Sequence, residues 1–438
     1  MAPTIIHSVT LFDGKDVQPN ATVVFDPSTG LITSVSSQAP SNIEGATVID
    51  GQGHTLLPGL IDSHIHLHGL HLPPGTDESQ ILRAPLFSGV TTVLDMHSDI
   101  ESVNKWRNRV TQEVSQAKFS GGTVSFPDIK TALYGATIAG GWPKPVVLGH
   151  NPTEALQEYV KSFPNVTVEN AEAFVKQHKA DGADYIKLMQ ENCCSLAMPT
   201  DSIPVATLEL QTAVVKAAKA EGFPVVGHAL SVDMTEIVLK SGADGLTHTF
   251  VDQPPPDSII DLYKKTNAFV IPTLVIVSSL TSEAPEYREK FSEIASKRGL
   301  VDEFTRQNML LTLGMKAPES KVEYAFQSVT KLKQAGIDIV AGTDAAPGLP
   351  GAAIGPSLWQ ELAMYVEKCG LTITEALTSA TATPARRFGF NDRGVVAQGK
   401  RADLVLVKGD VTQDLQALYT GEGIVGVWKQ GLKAAAST

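Results

Sequence analysis

Residues Leu57-Pro58-Gly59-Leu60-Ile61-Asp62-Ser63-His64-Ile65-His66 decide how this chain is read. An apolar run leads directly into an aspartate and two histidines at alternate positions. Residues two apart on a strand face the same side, so His64 and His66 can point to one place and chelate one ion. The same spacing also suits solvated or core histidines, and the motif alone leaves both readings open.

Outward from this strand, the pattern repeats. From about 58 to 390, apolar β-type runs alternate with longer stretches of helical character, which argues for parallel strands joined by crossover helices. The runs are Leu57 to Asp62, Val90 to Leu94, Thr131 to Gly135, Tyr185 to Leu188, Pro224 to His228, Gly245 to His248, Phe269 to Pro272 and Ile337 to Ala341. That number fits an α/β chain closed into a (β/α)8 TIM barrel. Thr207 opens a helical stretch that Gly222 closes, and Gly242 and Gly336 end helices in the same way just before a strand. The stretch from about 278 to 330 exceeds what a crossover needs and is expected to carry extra helices near the barrel mouth. Both chain ends read differently, as short strands and turns, so 1–57 and 391–438 form a β-rich part distinct from 58–390.

Composition sets the class. With 42% hydrophobic and 19% charged residues over 438 positions, the chain is an ordinary globular protein. Its 47 acidic against 35 basic residues give a net charge of -12. No dense Lys/Arg run occurs, so nucleic acid is not an expected partner. No apolar stretch reaches the ~18 to 20 residues of a membrane span, and the N-terminus lacks a basic segment followed by an apolar one. Three cysteines, Cys193, Cys194 and Cys369, imply no disulfide framework. A soluble, cytoplasmic protein is the expectation, and Asn20-Ala-Thr and Asn165-Val-Thr then read as chance matches to the glycosylation pattern.

The other metal-compatible residues fall where a barrel would gather them. His228, His248 and Asp344 stand at the C-terminal ends of the fifth, sixth and eighth runs, and Lys187 lies within the fourth. Barrel enzymes take their catalytic residues from those strand ends. Asp344 also suits a helix cap, so its position alone does not assign it.

With these residues in place, the sequence resembles the amidohydrolase superfamily of metal-dependent hydrolases. The resemblance runs almost end to end and is carried by Leu57 to His66, by Gly342-Thr343-Asp344 and by Gly399-Lys400-Arg401-Ala402-Asp403-Leu404-Val405. It looks most like the imidazolonepropionase-related and prolidase-like branch that includes fungal ochratoxinase. The resemblance implies a barrel flanked by a small β-sandwich made from both chain ends. It implies that His64, His66 and Asp344 bind the more buried of two ions, and that His228 and His248 bind the more exposed one. Lys187 would bridge them as a carbamate, and family habit implies a homo-oligomer.

The carbamate has a physical rationale, because an ammonium with a pKa of ~10.4 cannot bind a cation, whereas reaction with CO₂ gives an anion with two oxygen donors. Lys187 sits among strand-type apolar residues, where an unpaired lysine is costly. Imidazole and carboxylate ligands suit zinc, and manganese, iron, cobalt or nickel also occupy such sites. The expected reaction is amide hydrolysis: a hydroxide held between the two cations attacks, the exposed ion polarises the carbonyl, and Asp344 shuttles the proton. N-acyl amino acids, dipeptides or aryl amides are the expected small-molecule substrates, with cyclic amides or lactones as the alternative. A non-catalytic scaffold is the alternative of another class, and retention of all six ligand residues argues against it.

The remaining candidates border this centre. His97, after the second run, lies on the same face by barrel logic, and reads as a pocket residue or a loop histidine. Relatives in the branch often carry Ser-Gly-Gly after the fourth-strand lysine and Gly-Gly-His after the third strand. Here Gln190-Glu191-Asn192 and Gly140-Gly141-Trp142-Pro143 stand instead. Trp142, Gln190 and Glu191 therefore join His97 as candidate pocket residues, and the substrate is expected to differ. His68 and His71 read as loop residues, while His7, His54, His150 and His178 fit surface or β-domain positions. Cys193 and Cys194 read as packed, reduced side chains.

Overall fold

Strand-forming residues fall into two groups separated by Gly59. The computed structural model describes residues 1–38, 44–68, 72, 76–149 and 152–435. Five strands come first: β1 (Thr4–Phe12), β2 (Val17–Asp26), β3 (Leu31–Ser36), β4 (Thr47–Asp50) and β5 (His54–Pro58). Seven more alternate with helices: β6 (Leu60–Ile65), β7 (Val90–Asp95), β8 (Asp128–Thr131), β9 (Ile186–Met189), β10 (Val225–His228), β11 (Gly245–Thr247) and β12 (Phe269–Ile271). The chain closes with β13 (Leu404–Lys408), β14 (Ile424–Lys429) and β15 (Leu432–Lys433).

Both chain ends share one eight-stranded sheet, ordered β15-β14-β13-β5-β1-β2-β3, with β4 on β1. The join is antiparallel pairing of β13 with β5, from Leu404 opposite Pro58 to Lys408 opposite His54. Ile6, Val23, Phe25, Leu404 and Trp428 form its own buried cluster. At Gly59 the chain turns from this sheet into β6. A Cβ there would lie 2.1 Å from the Thr91 Oγ1, so only glycine lets the two strands follow each other so closely.

The central strands are parallel throughout. β6, β7 and β8 form one sheet, and β9 to β12 another. Isolated parallel bridges, Ala136 to Leu188, Val270 to Ile339 and Ile65 to Ala345, link them. Ile61, Leu94, Tyr185, Val226, Phe269, Ile271 and Val340 pack together, while other strand residues such as Val93 and Leu246 join helix residues such as Val103 and Val238 in the main core. Such double burial is why these runs read as continuously apolar rather than alternating.

Two expected strands differ in place or form. The third ends at Thr131 rather than starting there, because Leu133 adopts a left-handed backbone (φ 54°) and its N–H turns back to the Thr131 Oγ1. The run Ile337 to Ala341 forms one isolated bridge, Ile339 to Val270, rather than a regular strand. Its Ala341 N–H is drawn to the Ser379 carbonyl at 2.7 Å instead of to a neighbouring strand. The stretch after 273 carries the expected extra helices, Leu274–Thr281, Pro285–Lys297 and Glu303–Leu310. None of the helices among the described residues is long and apolar enough to cross a membrane.

A charged network fastens the end sheet to the central strands. Asp128 on β8 accepts from Arg393 at 2.5 Å and from Arg401 at 2.9 Å, while Arg401 Nε donates to Asp403 at 2.8 Å. Burial alone would raise the Asp128 carboxyl, but the two guanidinium groups outweigh it and hold it well below the usual carboxylate range. Its contribution is therefore present above about pH 4 and is lost as acid protonates it. Replacing Arg401 with Met leaves Asp128 and Asp403 underpaired, and should cost about 3–5 kcal/mol in urea unfolding at neutral pH. An unchanged unfolding midpoint would show that the network does not hold the two parts together.

Candidate metal centre

The first pair of candidate ligands comes from the end of β6. His64 is almost fully buried and His66 follows one pleat later. Their partner, Asp344, arrives on a segment pressed against that strand: the Asp344 N–H donates to the His64 carbonyl at 2.7 Å, and the His66 N–H to the Ala345 carbonyl at 2.9 Å. Gly342 permits the approach, since a Cβ there would sit 2.5 Å from Ile271 Cγ2 and 2.9 Å from the His64 nitrogen. Asp62 clasps the two segments, accepting from Thr343 Oγ1 at 2.8 Å, from the Thr343 N–H at 3.0 Å and from the His64 N–H at 3.2 Å. Burial pushes the Asp62 carboxyl up to about 7 despite these donors.

The result is a convergence of ligand atoms. His64 Nε2 and His66 Nε2 lie 3.1 and 3.0 Å from the same Asp344 oxygen, and one ligand atom from each of the three residues falls within 4.8 Å of the others. His64 Nε2 makes no hydrogen bond in spite of that distance. Two ring nitrogens and a carboxylate oxygen converging on one point suit a shared cation. Burial pushes the His64 ring down to about 3, which keeps it in the neutral form a metal requires. His66 Nδ1 lies 3.4 Å from the His97 carbonyl, a backbone acceptor that would orient the ring and leave Nε2 free.

The other three candidates gather beside this trio. The His248 ring lies 5.0 Å from that of His64 and 4.7 Å from that of His228, and His248 Nδ1 is 3.9 Å from the second Asp344 oxygen. Burial lowers both rings below the ordinary histidine range. Lys187 on β9 is 2% exposed, and burial pushes its amine down to about 7 although Asp344 opposes the shift. Its Nζ donates to Thr247 Oγ1 on β11. Asp344 itself is held well below the carboxylate range, because burial is outweighed by His64, His66 and His248.

A cavity of about 240 Å³ opens over these groups. His97 and Trp142 both line it, as does His68, which stacks on Tyr159 at 3.8 Å. Trp142 also stacks on His228, ring to ring at 5.0 Å. Gln190 is directed elsewhere, to the Ala206 carbonyl at 3.1 Å and to Gln211 at 2.7 Å. Glu191 lies under the site, with Oε2 3.2 Å from His228 Nε2 and Oε1 accepting the Asn192 and Cys193 N–H groups. His178 is buried between the Phe174 and Tyr134 carbonyls rather than at the surface. Cys193 is packed, its thiol pushed up to about 12 by burial. His71 and His150 lie outside the described residues.

Two contributors carried no signal in the sequence. Thr273 accepts or donates at 2.8 Å to His248 Nδ1, and buried Glu361 accepts the N–H groups of Leu274 and Val275, each at 2.8 Å. Glu361 thus caps the helix Leu274–Thr281, which lacks a side-chain cap of its own and supplies part of the cavity wall.

A sequence model of the amidohydrolase family matches residues 55–433. The chain belongs to this family. Membership makes it a hydrolase acting on carbon–nitrogen bonds, in a family that generally binds divalent metals. The amidohydrolase is similar to ochratoxinase of Aspergillus niger, 24% identical over 98% of this chain and 86% of that protein. It is also similar to imidazolonepropionase of Deinococcus deserti, 33% identical over 103 residues, a quarter of that protein's length. Among solved structures, a Xaa-Pro dipeptidase with bound methionine in its active site superposes with a TM-score of 0.72 at 25% identity, covering 99% of each chain.

The capping carboxylate gives this amidohydrolase a pH signature. Burial pushes Glu361 up to about 8, and the two N–H donors do not cancel that effect. The folded protein therefore holds a proton that the unfolded chain releases near pH ~4.3, so stability declines as pH rises from about 4 to about 8 and then levels off. Glu361→Ala should remove this part of the slope and cost about 2–4 kcal/mol near pH 6, because two buried N–H groups lose their acceptors. Unfolding free energies measured across that range would contradict the assignment if both proteins showed the same slope.

Proposed function

We propose that this amidohydrolase cleaves an amide bond at a centre of two divalent ions, zinc by preference. His64, His66 and Asp344 would hold one ion, and His228 and His248 the other, with Lys187 between them as a carbamate. The observation that carries this reading is the approach of His64 Nε2 and His66 Nε2 to one Asp344 oxygen at 3.1 and 3.0 Å, without a hydrogen bond on His64. Neutral imidazoles and a carboxylate are the donor set that zinc takes.

We read the central strands as a (β/α)8 barrel over 58–390, and the end sheet over 1–57 and 391–438 as its flanking β-sandwich domain. The parallel bridges at Ala136, Val270 and Ile65 support closure, since they fall where the two central sheets would otherwise have free edges. Three unpaired cysteines favour a reducing cytoplasm, and a homo-oligomeric state rests on the family resemblance.

Bound at this centre, divalent cations would acidify a water and polarise a carbonyl. The chain's own groups supply the rest. Asp344 accepts a proton from the attacking water at its carboxylate and passes it to the leaving nitrogen, which departs as a neutral amine. Lys187, pushed down to about 7, is largely unprotonated under mildly alkaline conditions, the form that adds to CO₂ with release of a proton. His66 and His248 are oriented through their Nδ1 atoms by the His97 carbonyl and Thr273.

Dialysis against a chelator should abolish hydrolysis of a chromogenic amide, and zinc should restore it. Lys187→Ala and His228→Ala should each lose more than the ~10- to 100-fold typical of changes outside the ligand set. Short carboxylic acids should partly rescue Lys187→Ala by replacing the carbamate oxygens. Full activity in either variant, or in the metal-free protein, would overturn the proposal.

A further inference from the structure

The wall of the cavity narrows the substrate class. One end bears the ligand residues His66, His228, His248 and Asp344. Around them stand Trp142, Phe163, Ile276, Leu280, Leu313 and Met315, with further aliphatic neighbours. Among the described lining residues there is no lysine or arginine.

This composition bears on the scissile amide. An N-acyl amino acid or dipeptide cut at its terminal residue carries a carboxylate two bonds from the scissile nitrogen. That group must therefore sit against the wall next to the reacting centre. Against a mainly aliphatic and aromatic wall, with no lysine or arginine among the described lining residues to pair it, an ionised carboxylate is disfavoured. Turning it towards the ligand residues instead would displace the scissile carbonyl from them.

His97 supplies a complementary observation. The Gly135 N–H donates to His97 Nδ1 at 2.9 Å, so the proton of the neutral ring resides on Nε2. That atom is buried, has no acceptor among the described residues, and belongs to a ring on the cavity wall. A neutral donor of this kind suits an uncharged oxygen, whereas an ionised carboxylate is best held by a cation.

We infer that the substrate is an uncharged amide with an apolar aromatic or branched alkyl group, and that the enzyme discriminates against amides carrying a free carboxylate beside the scissile nitrogen. The inference rests on the amide-hydrolase reading above and selects within it. It excludes the N-acyl amino acids and dipeptides that the sequence also suggested. Trp142 and Phe163 offer ring faces to the apolar group, and His97 Nε2–H offers one hydrogen bond to a neutral oxygen.

The test uses two compounds that differ only in the carboxylate, N-phenethylacetamide and N-acetylphenylalanine, with the zinc-loaded full-length enzyme. The neutral compound should show kcat/KM at least about tenfold higher, and should bind more tightly in calorimetry by a similar factor. Leu313→Arg, which places a cation on the wall, should shift the ratio towards N-acetylphenylalanine by about tenfold. Equal or better turnover of N-acetylphenylalanine by the wild type overturns the inference, and that ratio decides even if the arginine variant does not fold. If neither compound is hydrolysed, the amide-hydrolase reading fails for this pair, and calorimetry still decides the wall. Tighter binding of the neutral compound supports the inference; equal or tighter binding of the acid, or no binding of either, overturns it.

Discussion

The centre depends on a buried carboxylate that is not one of its ligands. Asp62 ties the end of β6 to the segment carrying Asp344, through three hydrogen bonds to Thr343 and the His64 N–H. These segments are 281 positions apart in the chain. The clasp adds to the backbone bonds from the Asp344 N–H to the His64 carbonyl and from the His66 N–H to the Ala345 carbonyl, which bring the two segments together. Three polar atoms in a solvent-free interior, each with its partner, are costly to rearrange, and that cost is what makes the ligand geometry rigid. A metal site needs such rigidity, since its donors must be in place before an ion arrives.

The same logic continues on the opposite side of the cavity. Glu361 holds the first turn of the helix Leu274–Thr281, and Thr273, the residue before that turn, meets His248. One buried carboxylate thus positions both a candidate ligand and part of the cavity wall. The candidate ligand and the cavity wall share a support through a few hydrogen bonds.

Much of this was legible in the sequence because the relevant signals are local. Alternating histidines at the end of an apolar run, and single His, Lys and Asp residues at the ends of later runs, can be read without knowing how the chain folds. The third strand was misplaced because a left-handed Leu133 carries no sequence mark, unlike a glycine. Gln190 and Glu191 follow the fourth strand as expected, yet Gln190 turns to Gln211 and Glu191 to His228. Position along a strand fixes which end of the fold a side chain occupies, not which neighbour it takes. The cavity wall was beyond reach for a similar reason: Phe163, Leu280, Leu313 and Met315 are ordinary apolar residues that only tertiary packing brings together.

That division between legible ligands and illegible wall has a physical origin. Ligand residues are polar groups in places where polarity is expensive, so each stands out against an apolar run. A substrate pocket lined by carbon has no such contrast with the core around it. What distinguishes it is an absence, the lack of a lysine or arginine among the described lining residues, and an absence has meaning only once the wall is known. The proposed chemistry of this amidohydrolase is therefore written in single residues, whereas its proposed choice among amides rests on a surface assembled from many distant parts of the chain.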